Sequence, residues 1–416
     1  MGTVIISAVN SSDRGPRTSR ASIGISSWSR GDTYRTIAAI LIVLVLLGTA
    51  FYLSGGDGTR SQGSFSLLIG AALGIIFERA RFCFFCIFRD AIEDRNTTPF
   101  LSILTAIAAG SVGYAILFGQ FLPDTSTGFF PPNAHIGPVS WVLVIAGLLF
   151  GLGMALSGAC ISGHLYRIGQ GSLRAFPALF GSLIGFGLGF ASWNSLYLAT
   201  LSEAPKTWLP HTFGYAGSLA LTFILLAVIT VLARRWGTSS EPVSTSESEG
   251  VYSRLIITRW PPLMAGALVG IVGTIAYLRI EPLGVTRQLS TTARTVLSDR
   301  GYLPETLEGL DVLKGCVAVI SSTLTNNGWL IIGIVLASLA AALAGNRFAF
   351  QSITLRNSAT ALIGGILLGW SSMVALGCTV GVLLSGTQAF ALSGWVFFAT
   401  AFLGTVIGVK LKLHKL

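Results

Sequence analysis

Three cysteines share one position in a repeated apolar motif. Each lies nine residues after the second glycine of a Gly-x-x-x-Gly pair, and the three are Cys83, Cys160 and Cys378. The copies cover residues 70–86, 147–163 and 365–381. Gly163 and Gly381 close two copies three positions after the cysteine, whereas Cys86 closes the other. Because a thiol can donate a weak hydrogen bond, act as a nucleophile or bind a metal, these cysteines are the first candidates for a functional site.

The glycine that follows two of these cysteines predicts a break in a membrane helix. Irregular backbone at membrane depth is tolerated only where protein buries it or a polar cavity receives it. A broken helix presents free amide groups and the positive end of its dipole, which favour an anion. The glycine pairs alone indicate only close helix packing. A fourth pair, Gly266 and Gly270, carries Arg279 at the cysteine position.

The spacing Cys83-x-x-Cys86 permits two further interpretations, a redox pair or half of a metal site. No thioredoxin-like alternation of strands and helices surrounds it, and the four histidines have no ligand spacing. We interpret Cys86 as a packing residue at the glycine position. Cys316 lies outside the motif and is interpreted as a small buried hydrophobic residue. The sequence predicts no metal, no cofactor and no catalytic residue.

Charged side chains near the breaks are the remaining candidates for an anion path. Arg81 and Arg89 flank Cys83, and either could guide a substrate, although the usual excess of arginine on the cytoplasmic side explains them equally well. His164 follows the Cys160 break and is interpreted as an interfacial histidine.

The composition defines the class of protein in which these motifs lie. Of the 416 residues, 52% are hydrophobic, 11% are charged and 50 are glycine, whereas soluble proteins carry about 25% charged residues. Several apolar runs are long enough to cross a bilayer. We therefore predict an all-α polytopic membrane protein that contacts membrane lipid. The net charge of +10 comes mainly from arginines beside the membrane and does not indicate a nucleic-acid partner.

About ten transmembrane or re-entrant helices are predicted, in two halves. They lie near residues 36–53, 64–78, 99–120, 140–158, 175–198, 214–233, 262–279, 328–345, 358–376 and 391–409. The predicted domains are a disordered cytoplasmic tail (1–35), an extra N-terminal transmembrane helix (36–60), a first membrane repeat half (61–233), a cytoplasmic linker (234–259) and a second membrane repeat half (260–416).

The distribution of lysine and arginine predicts that both termini are cytoplasmic. With ten spans, the loops 121–137 and 199–213, which together hold a single lysine, fall outside. Cys160 then follows a helix that runs inward, whereas Cys378 follows one that runs outward. The same motif enters from opposite faces, as an inverted-topology repeat requires. We therefore expect both cysteines near the membrane midplane.

Three segments resemble the YeeE/YedE sulfur-transport family: RARFCFFCIFRDAIE, GLGMALSGACISGHLYRIGQGS and GGILLGWSSMVALGCTVGVLLSGTQAFALSGWVFF. The resemblance implies a prokaryotic cell-membrane transporter that takes up thiosulfate or a related small sulfur oxyanion. It also implies that Cys83, Cys160 and Cys378 line the substrate path. A cytoplasmic sulfur-carrier protein is an implied partner, and a selenium compound is an alternative substrate because some relatives are tied to selenium metabolism.

Two other functions compete with the transport of a sulfur anion. A membrane thiol-disulfide or sulfur-transfer enzyme would use Cys83 and Cys86, and a passive channel would lack sulfur selectivity. The chain has no Walker A motif, so direct use of ATP is not expected. A thiolate would repel dianionic thiosulfate by roughly 4 kcal/mol at a distance of about 4 Å in protein of moderate dielectric. We therefore expect the motif thiols to act as neutral S–H donors.

Overall fold

The computed structural model describes residues 30–237, 258–304, 306–310, 320–321 and 323–416. The described residues form thirteen α-helices: α1 Arg30–Ser54, α2 Thr59–Ala80, α3 Phe84–Glu93, α4 Thr98–Phe121, α5 Trp141–Ser157, α6 Ile161–Gly169, α7 Ala175–Leu196, α8 Pro210–Trp236, α9 Pro262–Arg279, α10 Arg287–Ser298, α11 Asn326–Ala344, α12 Leu355–Val374 and α13 Leu392–Lys410. A π-helical segment, Thr379–Gly386, lies between α12 and α13.

Each of the ten predicted spans coincides with one of the long helices. Within the described ranges, eight helices are long and apolar enough to cross a membrane, or nine if α12 and the π-helical segment, which bend by 43°, form one span. α2 is not among these eight. The prediction of an all-α polytopic membrane protein is confirmed.

The N-terminal helix begins earlier than the sequence suggested. α1 starts at Arg30, inside the segment predicted as a disordered tail. Asp32 in the first turn favours this start because a carboxylate interacts well with the positive end of the helix dipole. The rest of the predicted tail, most of the predicted linker 234–259 and Cys316 lie outside the described residues.

Apart from α1 and α8, the helices form four units with the same order of elements. Each unit has a long helix, a break, a short helical segment and a second long helix; the units are α2–α4, α5–α7, α9–α11 and α12–α13. The first unit packs on the third and the second on the fourth, and the opening helix of each contacts the closing helix of its partner. The repeats predicted from the glycine pairs therefore coincide with units of structure.

Glycine pairs bring these partner helices into backbone contact. A Cβ atom on Gly70 would lie 2.1 Å from the carbonyl oxygen of Leu330, and one on Gly74 would lie 2.4 Å from that of Ile334. Because the contacting residue numbers rise together along α2 and α11, the two helices run parallel. The pairs α4 and α9, α5 and α13, and α7 and α12 also run parallel at close glycine contacts. Small residues permit this approach, as is usual between membrane helices.

A buried ion pair fixes the end of α2 immediately before the Cys83 break. The side chain of Glu78 has 0% exposure, and both of its oxygens accept hydrogen bonds from Arg347, at 2.7 and 3.0 Å. Arg79 donates a hydrogen bond to the backbone carbonyl of Thr258. Because removing one partner of a buried pair commonly costs about 3–5 kcal/mol, the Cys83 break starts from a firmly held point.

Candidate functional site

The three motif cysteines each lie immediately before a short helical segment. Cys83 precedes α3, Cys160 precedes α6 and Cys378 precedes the π-helical segment. All three have extended backbone and 0% exposure. The first amide groups of a helix lack partners within the helix and form the positive end of its dipole. Each cysteine therefore marks a buried position that suits an anion.

Cys83 and Cys160 lie side by side. Their side chains make a hydrogen bond, and the Cys160 Sγ also accepts one from the Gly163 amide at 3.4 Å. A Cβ atom on Gly163 would lie 2.7 Å from the Cys83 Sγ and 3.3 Å from the Cys160 Sγ. Gly163 is therefore the residue whose missing side chain lets the two thiols meet. We call Cys83 and Cys160 the cysteine pair.

Cys86 extends the cysteine pair toward a partly buried arginine. Its thiol makes a side-chain hydrogen bond with Cys83. Its Sγ also accepts a hydrogen bond from the Arg167 Nη2 at 2.8 Å. Arg167 Nη1 in turn donates to the Gly158 carbonyl oxygen at 3.0 Å. Cys86 thus has specific polar contacts beyond the packing role predicted from the sequence.

The third motif cysteine has different surroundings. Leu376, two residues before Cys378, has a φ of 60°, which turns the chain sharply after α12. Gly381 lies inside the π-helical segment and is buried. The described contacts bring Cys83, Cys86 and Cys160 together, and none of them joins Cys378 to this group. No charged residue occurs between Arg356 and Lys410 in the sequence.

Buried hydroxyl groups lie near the Cys378 break. Their oxygens have no hydrogen-bond partner among the described residues, and they belong to Ser371, Ser372 and Thr379. Buried polar groups normally have a partner, because an unpaired one costs free energy. Hydroxyl groups can donate to an anion without fixing a charge at the site. The Cys378 break is therefore polar but neutral.

The arginines chosen from the sequence occupy different places. Arg81 ends α2 in a left-handed conformation and is exposed. Arg89 is half-buried and forms an ion pair with Asp90 at 2.6 Å. Arg89, but not Arg81, lines a cavity beside the cysteine pair. Arg167 was not among the residues predicted from the sequence, because an arginine near the end of a membrane helix fits the cytoplasmic excess of basic residues equally well.

The cavity that Arg89 lines has a volume of about 190 Å³. Its lining is rich in cationic and polar side chains and comprises Phe85, Arg89, Ser157, Gly158, His164, Arg167, Ser172, Arg174, Gln351 and His414. We call it the arginine cavity. His164, predicted as an interfacial histidine, is 2% exposed. The cavity adjoins the cysteine pair through Arg167, which contacts Cys86.

The third unit has no cysteine at its break. Arg279, which occupies the cysteine position by sequence register, is the last residue of α9, and its guanidinium lies 5.4 Å from the ring centre of Phe65. Seven residues separate α9 from α10, so Thr286 is the residue that precedes the short helix. A small cavity of about 10 Å³ here is bordered by the ion-paired Glu281 and Arg287.

No group of three or more metal-ligating side chains occurs among the described residues. The arrangement is that of a polytopic membrane protein whose broken helices hold thiols and hydroxyls at buried positions and arginines at partly buried ones. Ionisable and irregular elements of this kind, inside a helical membrane domain, characterise solute-transport proteins.

Comparison with known proteins identifies the family. The sequence model described as "Sulphur transport" matches residues 79–407. The thiosulfate transporter TsuA of Escherichia coli K12 is 28% identical over 351 residues, which is 81% of this chain and 91% of TsuA. TsuA of Spirochaeta thermophila is 29% identical over 356 residues, or 79% of this chain and 93% of that protein. The probable transporter YedE of E. coli K12 is 30% identical over 171 residues, 41% of this chain and 40% of YedE.

The chain belongs to the sulphur transport family. The resemblance inferred from the cysteine motifs is thereby confirmed. The matched region begins at the end of α2 and reaches the last turn of α13, so it includes the breaks of all four helical units.

Proposed function

We propose that this protein takes up thiosulfate, or a closely related sulfur oxyanion, through a path marked by its motif cysteines. The observation that carries the proposal is the placement of Cys83, Cys160 and Cys378, each buried at the start of a short helical segment. Amide groups and helix dipoles offset anionic charge there, and thiols contact a polarisable sulfur atom weakly. The TsuA relatives, named as thiosulfate transporters, support this choice of substrate.

The proposed path begins at the neutral Cys378 break and continues to the cysteine pair. Gly163 and Gly381 stand three residues after Cys160 and Cys378, and the missing side chain of Gly163 lets the thiols of the cysteine pair lie side by side. Weak contacts suit this role, because conduction requires sites that release an ion as readily as they bind it.

Two arginines are proposed to guide the anion at the basic end of the path. Arg89 would act from within the arginine cavity, and Arg81 would act from the exposed end of α2. The charge state of the thiols stays a prediction. The Cys160 Sγ accepts a hydrogen bond from the Gly163 amide, a geometry that a neutral thiol also permits.

We also propose an inverted arrangement of the two halves in a prokaryotic inner membrane, with both termini in the cytoplasm. The parallel packing of opening helices on closing helices supports it. Suppose that the two long helices of each unit run in opposite directions. A two-fold axis normal to the membrane would then make each opening helix antiparallel to the closing helix that it contacts, whereas an axis in the membrane plane makes them parallel. Basic loops then lie inside, where a sulfur-carrier protein could receive the substrate. Reporter fusions at residues 237 and 416 test this orientation.

Growth on thiosulfate as the only sulfur source tests the proposed function. The host is a bacterium that lacks its own sulfate and thiosulfate importers. Expression of the wild-type protein should restore growth, and Cys160→Ala should not, at equal membrane abundance by immunoblot. Cys86→Ser separates transport from thiol chemistry: a redox enzyme that uses Cys83 and Cys86 would lose activity, whereas the transporter should retain it. Failure of the wild-type protein to restore growth would contradict the proposal.

A further inference from the structure

We propose that the arginine cavity is a second binding site for the transported oxyanion, distinct from the cysteine pair. This inference rests on the proposed function and adds a charged site at which the dianion is held after it passes the thiols. The cavity volume of about 190 Å³ equals the space of roughly six water molecules. That is enough for a five-atom sulfur oxyanion that keeps part of its hydration.

The cavity has an excess of positive charge. Arg167 and Arg174 form no ion pair within the part of the chain that the structure describes. Arg174 Nη2 donates to the Leu156 carbonyl oxygen at 2.7 Å and to the Thr360 hydroxyl at 3.2 Å. Burial and the neighbouring Arg167 both lower the pKa of Arg174. A bound anion would counter this repulsion, because guanidinium groups pair well with oxyanions.

His164 provides a second, independent observation. Its side chain lines the cavity and is 2% exposed, and its Nε2 has no hydrogen-bond partner among the described residues. A buried ring nitrogen without a partner is costly unless a ligand or water satisfies it. An oxyanion in the cavity would accept a hydrogen bond from this nitrogen.

Arg167 connects the second site to the first. One of its amino groups donates to the Cys86 Sγ at 2.8 Å, and Cys86 in turn contacts Cys83 of the cysteine pair. An anion that leaves the pair therefore meets a guanidinium already oriented by the Gly158 carbonyl oxygen. The nearby carboxylate of Asp90 neutralises Arg89 but not Arg167 or Arg174.

Equilibrium binding of radiolabelled thiosulfate to the purified full-length protein tests the proposal. Cys160→Ala removes one thiol of the pair and leaves the cavity intact, so this variant should still bind about one anion per chain. Adding Arg174→Gln should weaken this remaining binding by about tenfold to a hundredfold, the loss expected for one charge-assisted hydrogen bond. Arg356→Gln is the matched control, because Arg356 is exposed and does not line the cavity.

His164→Gln is the second variant, because the Nε2 of His164 has no hydrogen-bond partner among the described residues and the substitution therefore breaks no described hydrogen bond of this nitrogen. It should also weaken binding, with an unchanged melting temperature. Unchanged affinity in both cavity variants, or equal weakening by Arg356→Gln, would overturn the second site. Displacement of thiosulfate by phosphatidylglycerol at lower concentration than by sulfate would assign the cavity to lipid headgroups instead. If the wild-type protein shows no thiosulfate uptake while this binding pattern holds, the proposed function fails and the anion site stands.

Discussion

The cysteine pair and the Cys378 break use one sequence motif in two electrostatic settings. The pair adjoins a cavity with three arginines, and Arg167 contacts its neighbour Cys86. Around Cys378 the chain carries no charge from residue 357 to residue 409, and buried hydroxyls take the place of arginines. The repeated motif therefore provides equivalent backbone positions, while the flanking residues determine how strongly each attracts an anion.

This difference gives the proposed path a direction. An anion would first meet a neutral site that binds weakly and then a charged region that binds more strongly. The sequence has no Walker A motif, and we propose that consumption of the anion inside the cell draws it through the path. Substitutions in the two regions test whether they differ in how strongly they bind the anion.

The largest effect is expected from alanine at the motif cysteines. Cys160→Ala removes a thiol from the pair and should reduce thiosulfate uptake to the background level. Cys378→Ala removes one weak donor from the neutral break and should reduce uptake by about tenfold, a change of roughly 1.4 kcal/mol. Initial rates of radiolabelled uptake in cells measure both. Equal uptake by Cys160→Ala and wild type would remove the pair from the path.

Adding a methyl group at Gly163 should have the next largest effect. A Cβ atom there would lie 2.7 Å from the Cys83 Sγ, so the two thiols must separate. We expect uptake to fall about tenfold and the protein to lose about 1–3 kcal/mol of stability through overpacking. Gly119→Ala is the control, because no atom lies within 4 Å of a Cβ at that position. Equal rates for Gly163→Ala and Gly119→Ala would contradict this role of Gly163.

A smaller effect is expected at the neutral break. Thr379→Val keeps the shape of the side chain and removes a buried hydroxyl that has no partner among the described residues. Thermal unfolding should show no loss of stability, since no hydrogen bond within the protein is broken. Uptake should fall about threefold if this hydroxyl donates to the passing anion, which corresponds to a lost interaction free energy of roughly 0.6 kcal/mol. A clear drop in melting temperature would instead assign the hydroxyl a structural role.

The smallest effect is expected from Cys86→Ser. A serine oxygen can accept the hydrogen bond that Arg167 donates to the Cys86 Sγ at 2.8 Å. Uptake should change by less than about twofold, within the usual range for a conservative substitution outside the reacting groups. Complete loss of uptake would favour the thiol-chemistry alternative over transport.

The long helices and the cysteine positions could be predicted from the sequence because apolar length and glycine spacing are local signals. The arginine cavity could not, since Arg89 is distant in sequence from Arg167 and Arg174, and each arginine alone fits the cytoplasmic excess of basic residues. In the third unit, the sequence register places Arg279 at the cysteine position, although Thr286 is the residue that precedes the short helix. Seven residues follow Arg279 before α10 begins, and an insertion in an irregular segment has no periodicity to reveal it.

Uptake of radiolabelled thiosulfate by proteoliposomes that contain only the purified protein tests the central claim most directly. An inward gradient of thiosulfate is imposed, and sulfate and chloride are added as competitors in separate samples. We expect saturable uptake by the wild-type protein that is faster than the uptake by protein-free vesicles and is abolished by Cys160→Ala. Uptake no faster than in protein-free vesicles, or uptake that Cys160→Ala leaves unchanged, would contradict a thiosulfate path through the cysteine pair.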